Sequence, residues 1–204
     1  MALKFSSDGF YHLSNRLSNR WMGLDPETAG WDDLYDYFIG SAVPEEPVRM
    51  IHAHGGVRLA EFLWSAGFPL VSKSVVSALE QHQFKGWEPY PVTIHDRKGD
   101  LIGSYAGLTV TGRCGEIQVG KGVSKLKERD LGGKRPARYY KGMNLDASEW
   151  DQSDLFIEGK GKKRGYILAS AELVHALKGV KARNVTITPL EDVEIPVELV
   201  DQGT

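Results

Sequence analysis

Residues 69–94, PLVSKSVVSALEQHQFKGWEPYPVTI, decide the fold class, because a strand, a helix and a second strand can be read in them one after another. Leu70 and Val71 are a short apolar run. Ser72 then stands just ahead of Val75, Val76 and Leu79, whose i, i+1, i+4 spacing makes one buried stripe on a helix. A serine at that entrance can accept a hydrogen bond from one of the orphan N–H groups of the first turn. Gly86 suits the left-handed residue that follows many helices. Tyr90–Ile94 (YPVTI) is aromatic and β-branched and reads as the returning strand.

Residues 166–190, YILASAELVHALKGVKARNVTITPL, have the same grammar. Sliding one unit onto the other superposes Leu70 on Leu168, Ser72 on Ser170, Val76 on Val174, Ala78 on Ala176 and Leu79 on Leu177. Glu172 lies near the positive end of its helix dipole, and NVTIT supplies the second returning strand. Two related units within one chain is one reading. The other is that any strand–cap–helix unit looks this way.

Around these units the chain is rich in strand and turn signals. Phe10–Leu13 reads as a strand. Val48–Ala53 (VRMIHA) alternates as a strand, and Gly55-Gly56 then predicts a tight turn, with Val57–Trp64 returning as its hairpin partner. Asp96–Asp100 is a polar turn before a long strand in 101–111, and Glu116–Val119 follows as a further strand. Leu155–Ile157 and Gly165–Leu168 flank GKGKKRG, a hairpin pattern. Glu194–Val200 carries Pro196 and reads as an edge strand. The expectation is one α+β domain over residues 1–204, mainly antiparallel sheet, with the two Ser-capped helices on one face. Residues 1–47 form a subregion of distinct character.

Composition narrows the function classes. A hydrophobic share of 41% in 204 residues supports a sizeable core. A net charge of −2 argues against a nucleic-acid binder. A lone cysteine, Cys114, permits no internal disulfide and fits a reducing, cytoplasmic setting. MALKFSSDGFYHL lacks the apolar core of a signal peptide, and no apolar run is long enough to span a membrane.

Charge is nevertheless segregated. Residues 25–46 hold Asp25, Glu27, Asp32, Asp33, Asp36, Glu45 and Glu46 with no Lys or Arg, and Trp31, Leu34, Tyr35 and Phe38 fall among them at helical spacing. A short helix over 31–38, ended by Gly40, would present Trp31, Asp32, Asp33, Tyr35 and Asp36 to a basic protein partner, aromatics anchoring and acids steering. In the competing reading the apolar residues face the core and the acids only solvate the outside. Residues 121–141 are the opposite case: Lys121, Lys125, Lys127, Arg129, Lys134, Arg135, Arg138 and Lys141 against Glu128 and Asp130. They read as an exposed loop, or as a phosphate contact.

Catalytic signatures are missing. His52-x-His54 on a strand would put two rings on one face, a metal pair that needs a third ligand such as His95 or Asp96. Cys114 beside Arg113 has no evident base to activate it. No cofactor motif is present.

The order of features, FIG (38–40), PLVSKSVVSALE, YPVTI, SYAGLTVTG, SDLF (153–156), YILASAELVHALK and NVTITPL, resembles a family of predicted immunity proteins of bacterial polymorphic-toxin systems, over roughly residues 38–190. That resemblance implies a non-enzymatic protein that binds and neutralises a cognate toxin, with no catalytic residues and no cofactor. A metal-dependent enzyme or binder using His52 and His54 is the alternative.

Overall fold

A computed structural model describes residues 5–6, 9–16, 18–120, 124–130, 136–159 and 165–201. In chain order the strands and helices are β1 (Phe5–Ser6), β2 (Phe10–Asn15), β3 (Met22–Pro26), α1 (Trp31–Ile39), β4 (Val48–Gly55), β5 (Phe62–Ser65), β6 (Phe68–Ser72), α2 (Lys73–Gln81), β7 (Trp87–His95), β8 (Tyr105–Val110), β9 (Gly112–Cys114) and β10 (Ile117–Gln118). There follow β11 (Lys125–Arg129), β12 (Ala137–Lys141), β13 (Asn144–Asp146), β14 (Leu155–Glu158), β15 (Ile167–Ser170), α3 (Ala171–Gly179), β16 (Val185–Pro189), β17 (Glu194–Pro196) and α4 (Val197–Asp201). The protein is mixed α+β and mostly sheet. No helix among the described residues is long and apolar enough to cross a membrane.

The strands do not form one sheet with helices on one face. Six of them close into a barrel in the order β3-β4-β7-β8-β6-β5. Five more make an open sheet, β16-β2-β15-β14-β9, and two three-stranded sheets, β1-β13-β10 and β11-β12-β17, flank it. Residues 1–47 do not stand apart: β2 lies inside the open sheet, β3 in the barrel, and α1 against the barrel.

The two strand–helix–strand units sit in matching surroundings. β6 and β7 flank β8, with Leu70 opposite Gly107 and Tyr90 opposite the same glycine. β15 and β16 flank β2, with Leu168 and Thr188 both opposite His12. The shift in numbering that takes Ser72 to Ser170, with the one that takes Gly107 to His12, carries every such pair of the first unit onto a pair of the second. Ser72 and Ser170 have the same backbone, φ −68° and ψ 161°. Gln83 (φ 55°) and Lys181 (φ 53°) follow the helices at equivalent places, and Asn184 (φ 60°) stands where the first unit has Gly86 (φ 88°).

The middle strand of each set comes from the other half of the chain. β2, the first of the two, serves the C-terminal unit, and β8 serves the N-terminal one. Reciprocal clasps reinforce the exchange. The Lys85 N–H, just past α2, donates to Asp154 Oδ2 at 2.9 Å, and the Arg183 N–H, just past α3, donates to Glu61 Oε2 at 3.0 Å. The backbone carbonyls of those acids accept from the cap serines, Glu61 from Ser72 N and Asp154 from Ser170 N.

Three cores follow from this plan. The central one is built from corresponding residues of both halves: Phe62 and Leu155, Trp64 and Ile157, Val75 and Leu173, Leu79 and Leu177, Leu108 and Leu13. The barrel interior holds Leu24, Leu34, Met50, Leu63, Leu70 and Tyr90. The corresponding face of the open sheet packs Cys114, Phe156 and Leu168 against Tyr140, Met143, Leu145 and Ile195.

Three further expectations need correction. Both serines occupy the N-cap position, but only the Ser170 hydroxyl caps, accepting from Leu173 N at 3.3 Å; Ser72 Oγ lies 2.8 Å from Ser74 Oγ instead. No hairpin joins 48–53 to 57–64: β4 pairs with β3 and β7, whereas β5 pairs with β6 and β3. Gly55 and Gly56 serve a close approach, since a Cβ on either would strike the carbonyl of Trp21 or Arg20. Finally, the described part of 121–141 is the antiparallel pair β11–β12 rather than a loop. Lys121, Lys134 and Arg135 lie outside the described residues, as does the turn at 160–164 between β14 and β15.

Candidate functional site

α1 is capped at its start and held to the fold at its end and on its inner side. Asp33 Oδ2 accepts from the Gly30 N–H at 2.8 Å, and Asp32 and Asp33 sit in the first turn, where the helix dipole favours negative charge. Gly40 (φ 74°) ends the helix in the left-handed conformation. The last carbonyls are satisfied from the barrel and the strand after it: Thr109 Oγ1 donates to Tyr37 O at 2.8 Å and Arg113 Nη2 to Ile39 O at 2.5 Å. Leu34 enters the barrel interior and Phe38 the central core, 1% and 2% exposed.

The outer side is different. Trp31 is 48% exposed although the helix's other apolar anchors are buried. Asp32, Asp33 and Asp36 are exposed beside it, and Tyr35 is half-buried with its ring edge towards Phe68, 6.4 Å between centroids. Ser41 Oγ donates to Asp36 Oδ1 at 2.8 Å and fixes that carboxylate's direction. The chain then returns along the helix, leaving a groove of about 450 Å³ with Tyr37, Pro44 and Pro47 in its walls and Asp33, Asp36, Glu45 and Glu46 among its lining. None of these four acids takes part in an ion pair between described residues. The five residues expected to meet a partner therefore lie on one helix. Trp31 belongs to the surface, as the partner-binding reading requires, while Leu34 and Phe38 go inward, as the competing reading requires.

The histidine pair has other work. His52 is buried, and its Nε2 lies 3.1 Å from the His54 carbonyl, an arrangement that keeps a proton on that nitrogen. The His54 ring packs where a Cβ on Gly23 would be. His95 Nδ1 is 3.0 Å from Gly99 O. Asp96 Oδ1 accepts from the N–H groups of Asp100 and Lys98, which hold its carboxyl below the usual range. Among the described residues no three His, Cys, Asp or Glu side chains gather as a metal site would need.

Cys114 occupies the place in the open sheet that Leu24 has in the barrel. Burial pushes its thiol up to about 12, against the smaller opposing effect of Arg113, so it is not a thiolate at neutral pH. Arg113 instead donates to Val110 O, Gly112 O and Ile39 O. That role as a fastener of α1 was hidden in the sequence, where its neighbour Cys114 drew the reading.

On β11 and β12 the cations Lys125, Lys127, Arg129 and Lys141 share one side of the sheet with Tyr139. Two already have carboxylates: Arg129 has Glu194 at 3.3 Å and Lys141 has Asp192 at 2.7 Å. The net positive charge left for phosphates is small. No family model matches the chain, and no curated protein matches it.

Proposed function

We propose that this protein is a binding module for a basic protein surface, and that it neutralises a toxin by covering its active site. The observation that supports this most directly is Trp31, half-exposed on a helix capped at its start and fastened at its end, and set among acids that no described cation pairs with. A rigid aromatic that gives up water on binding is the usual source of affinity at interfaces, and surrounding charge of one sign raises the encounter rate. The groove beside α1 adds two prolines, Tyr37 and four carboxylates, a chemistry that suits lysine or arginine side chains of the partner.

The test is titration of the chain into the C-terminal domain of a secreted protein encoded beside it. Tight binding with loss of the toxin's activity at one equivalent is expected. The triple variant Asp32→Asn, Asp33→Asn, Asp36→Asn should slow association about tenfold at low salt and approach the parent at high salt. Trp31→Ala should speed dissociation, at a cost of about 2 kcal/mol. No binding by such a neighbour, or an association rate that the triple variant leaves unchanged at low salt, would overturn the reading.

A further inference from the structure

In the barrel, the Tyr90 ring lies on Gly107, where any Cβ would collide with it, and so occupies the interior over β7 and β8. The same register in the other half places Thr188 opposite His12. Their face is the counterpart of the barrel interior, because Phe10 and Leu168, alongside on β2 and β15, pack into that half's own core. Threonine is far smaller than tyrosine. Nor does any strand among the described residues take β4's place between β16 and β9. A cavity of about 390 Å³ remains, walled on its far side by 193–196 and by Leu199, which is 65% exposed. That volume falls in the range of small-molecule sites, about 300–1,000 Å³.

The lining indicates what kind of molecule fits. Beyond the strand ladder, the side chains of His12, Ser14 and Thr188 make no hydrogen bond to another described residue; the His12 ring meets the Tyr166 ring edge-on at 5.4 Å. Burial pushes the His12 imidazole down to about 4, so it is neutral near pH 7, with one nitrogen to donate and one to accept. The two hydroxyls likewise donate and accept. At the rim, Asp192 and Glu194 already hold Lys141 and Arg129. An anion would meet two carboxylates there, and a cation would find both of them engaged. We propose that this cavity binds a neutral, hydroxyl-rich molecule of saccharide size, with its hydroxyls on His12, Ser14 and Thr188 and its C–H face on Pro196 and Leu199. The site is separate from the acidic helix face and does not depend on the toxin reading.

Saturation-transfer NMR and calorimetry with glucose, galactose, N-acetylglucosamine, maltose, cellobiose and chitobiose test it. At least one should bind saturably, with Kd about 1 mM or tighter, and should shift the His12 ring resonances. The double variant His12→Gly, Thr188→Tyr copies the Gly107–Tyr90 pair and fills the cavity. Leu199→Glu alters only the exposed wall and decides the matter if the double variant does not fold. A loss of at least about tenfold in affinity in either variant supports the site. Saturable binding by none of the six saccharides, or binding that both variants leave intact, overturns it.

Discussion

His12 sets a residue-scale expectation independent of any ligand. Its folded pKa, about 4, lies below the ordinary 6.5 because burial disfavours the imidazolium. The unfolded chain accepts a proton that the folded chain refuses, so stability falls as pH drops from about 6.5 towards about 4. The ring is half-buried and borders an open cavity, so the effect is on the order of 1–3 kcal/mol. Glu61 and Asp151, whose hydrogen bonds hold their carboxyls low, add to the loss near the bottom of that window. Urea titrations of the parent and of His12→Asn at several pH values separate the two contributions. The variant should show a shallower decline above pH ~5, and parallel curves would show that His12 is not the buried neutral group described. In the sequence, His12 was only a member of a strand. Its surroundings include 192–196 and Leu199, which line the same cavity and which no local pattern places beside it.

At the scale of single elements, the two cap serines should differ in worth. Ser170 Oγ accepts from Leu173 N and donates to Asp154 Oδ1 at 2.9 Å, so Ser170→Ala removes a cap and a link to the residue just ahead of β14. A loss of about 1–2 kcal/mol is expected. Ser72→Ala gives up only a contact with Ser74 Oγ and should cost a few tenths, on the order of 0.3 kcal/mol. Denaturant midpoints of the two variants check this, and equal losses would contradict it. Both helices, and the start and end of α1, were legible because apolar spacing is a local signal, although of the two expected serine caps only that of Ser170 is made. The hairpin expected across Gly55-Gly56 was misread because glycine serves turns and close backbone approaches alike, and only the Arg20 and Trp21 carbonyls distinguish them here. For Trp31 the spacing made a core position as natural as a surface one. Its exposure follows from how α1 packs, with Leu34 and Phe38 turned inward.

For the whole molecule, the exchange of β2 and β8 ties the fate of each half to the other. Loss of β2 would leave β15 and β16 with unpaired edges and would take Leu13 from the central core. Deleting residues 1–15 should therefore abolish the folded state of the entire chain, read as collapse of amide dispersion in a two-dimensional NMR spectrum. A truncated chain that kept a folded barrel and lost only the open sheet would show that the halves are not so coupled. The full chain should unfold in one transition, with tryptophan fluorescence and circular dichroism reporting the same midpoint.

The α+β composition, the two strand–helix–strand units and the segregation of acids from bases were written in the sequence itself, since each rests on neighbours within one turn of helix or one strand. Pairing was legible only in the local hairpins, β7–β8 across Asp96–Asp100 and β14–β15; nothing near β2 says that it joins β15 and β16. Only the tertiary structure decided that one set of strands closes into a barrel while its counterpart stays open. β4 closes the barrel by pairing with both β3 and β7, residues distant from it in the chain, and among the described residues no strand does the same between β9 and β16.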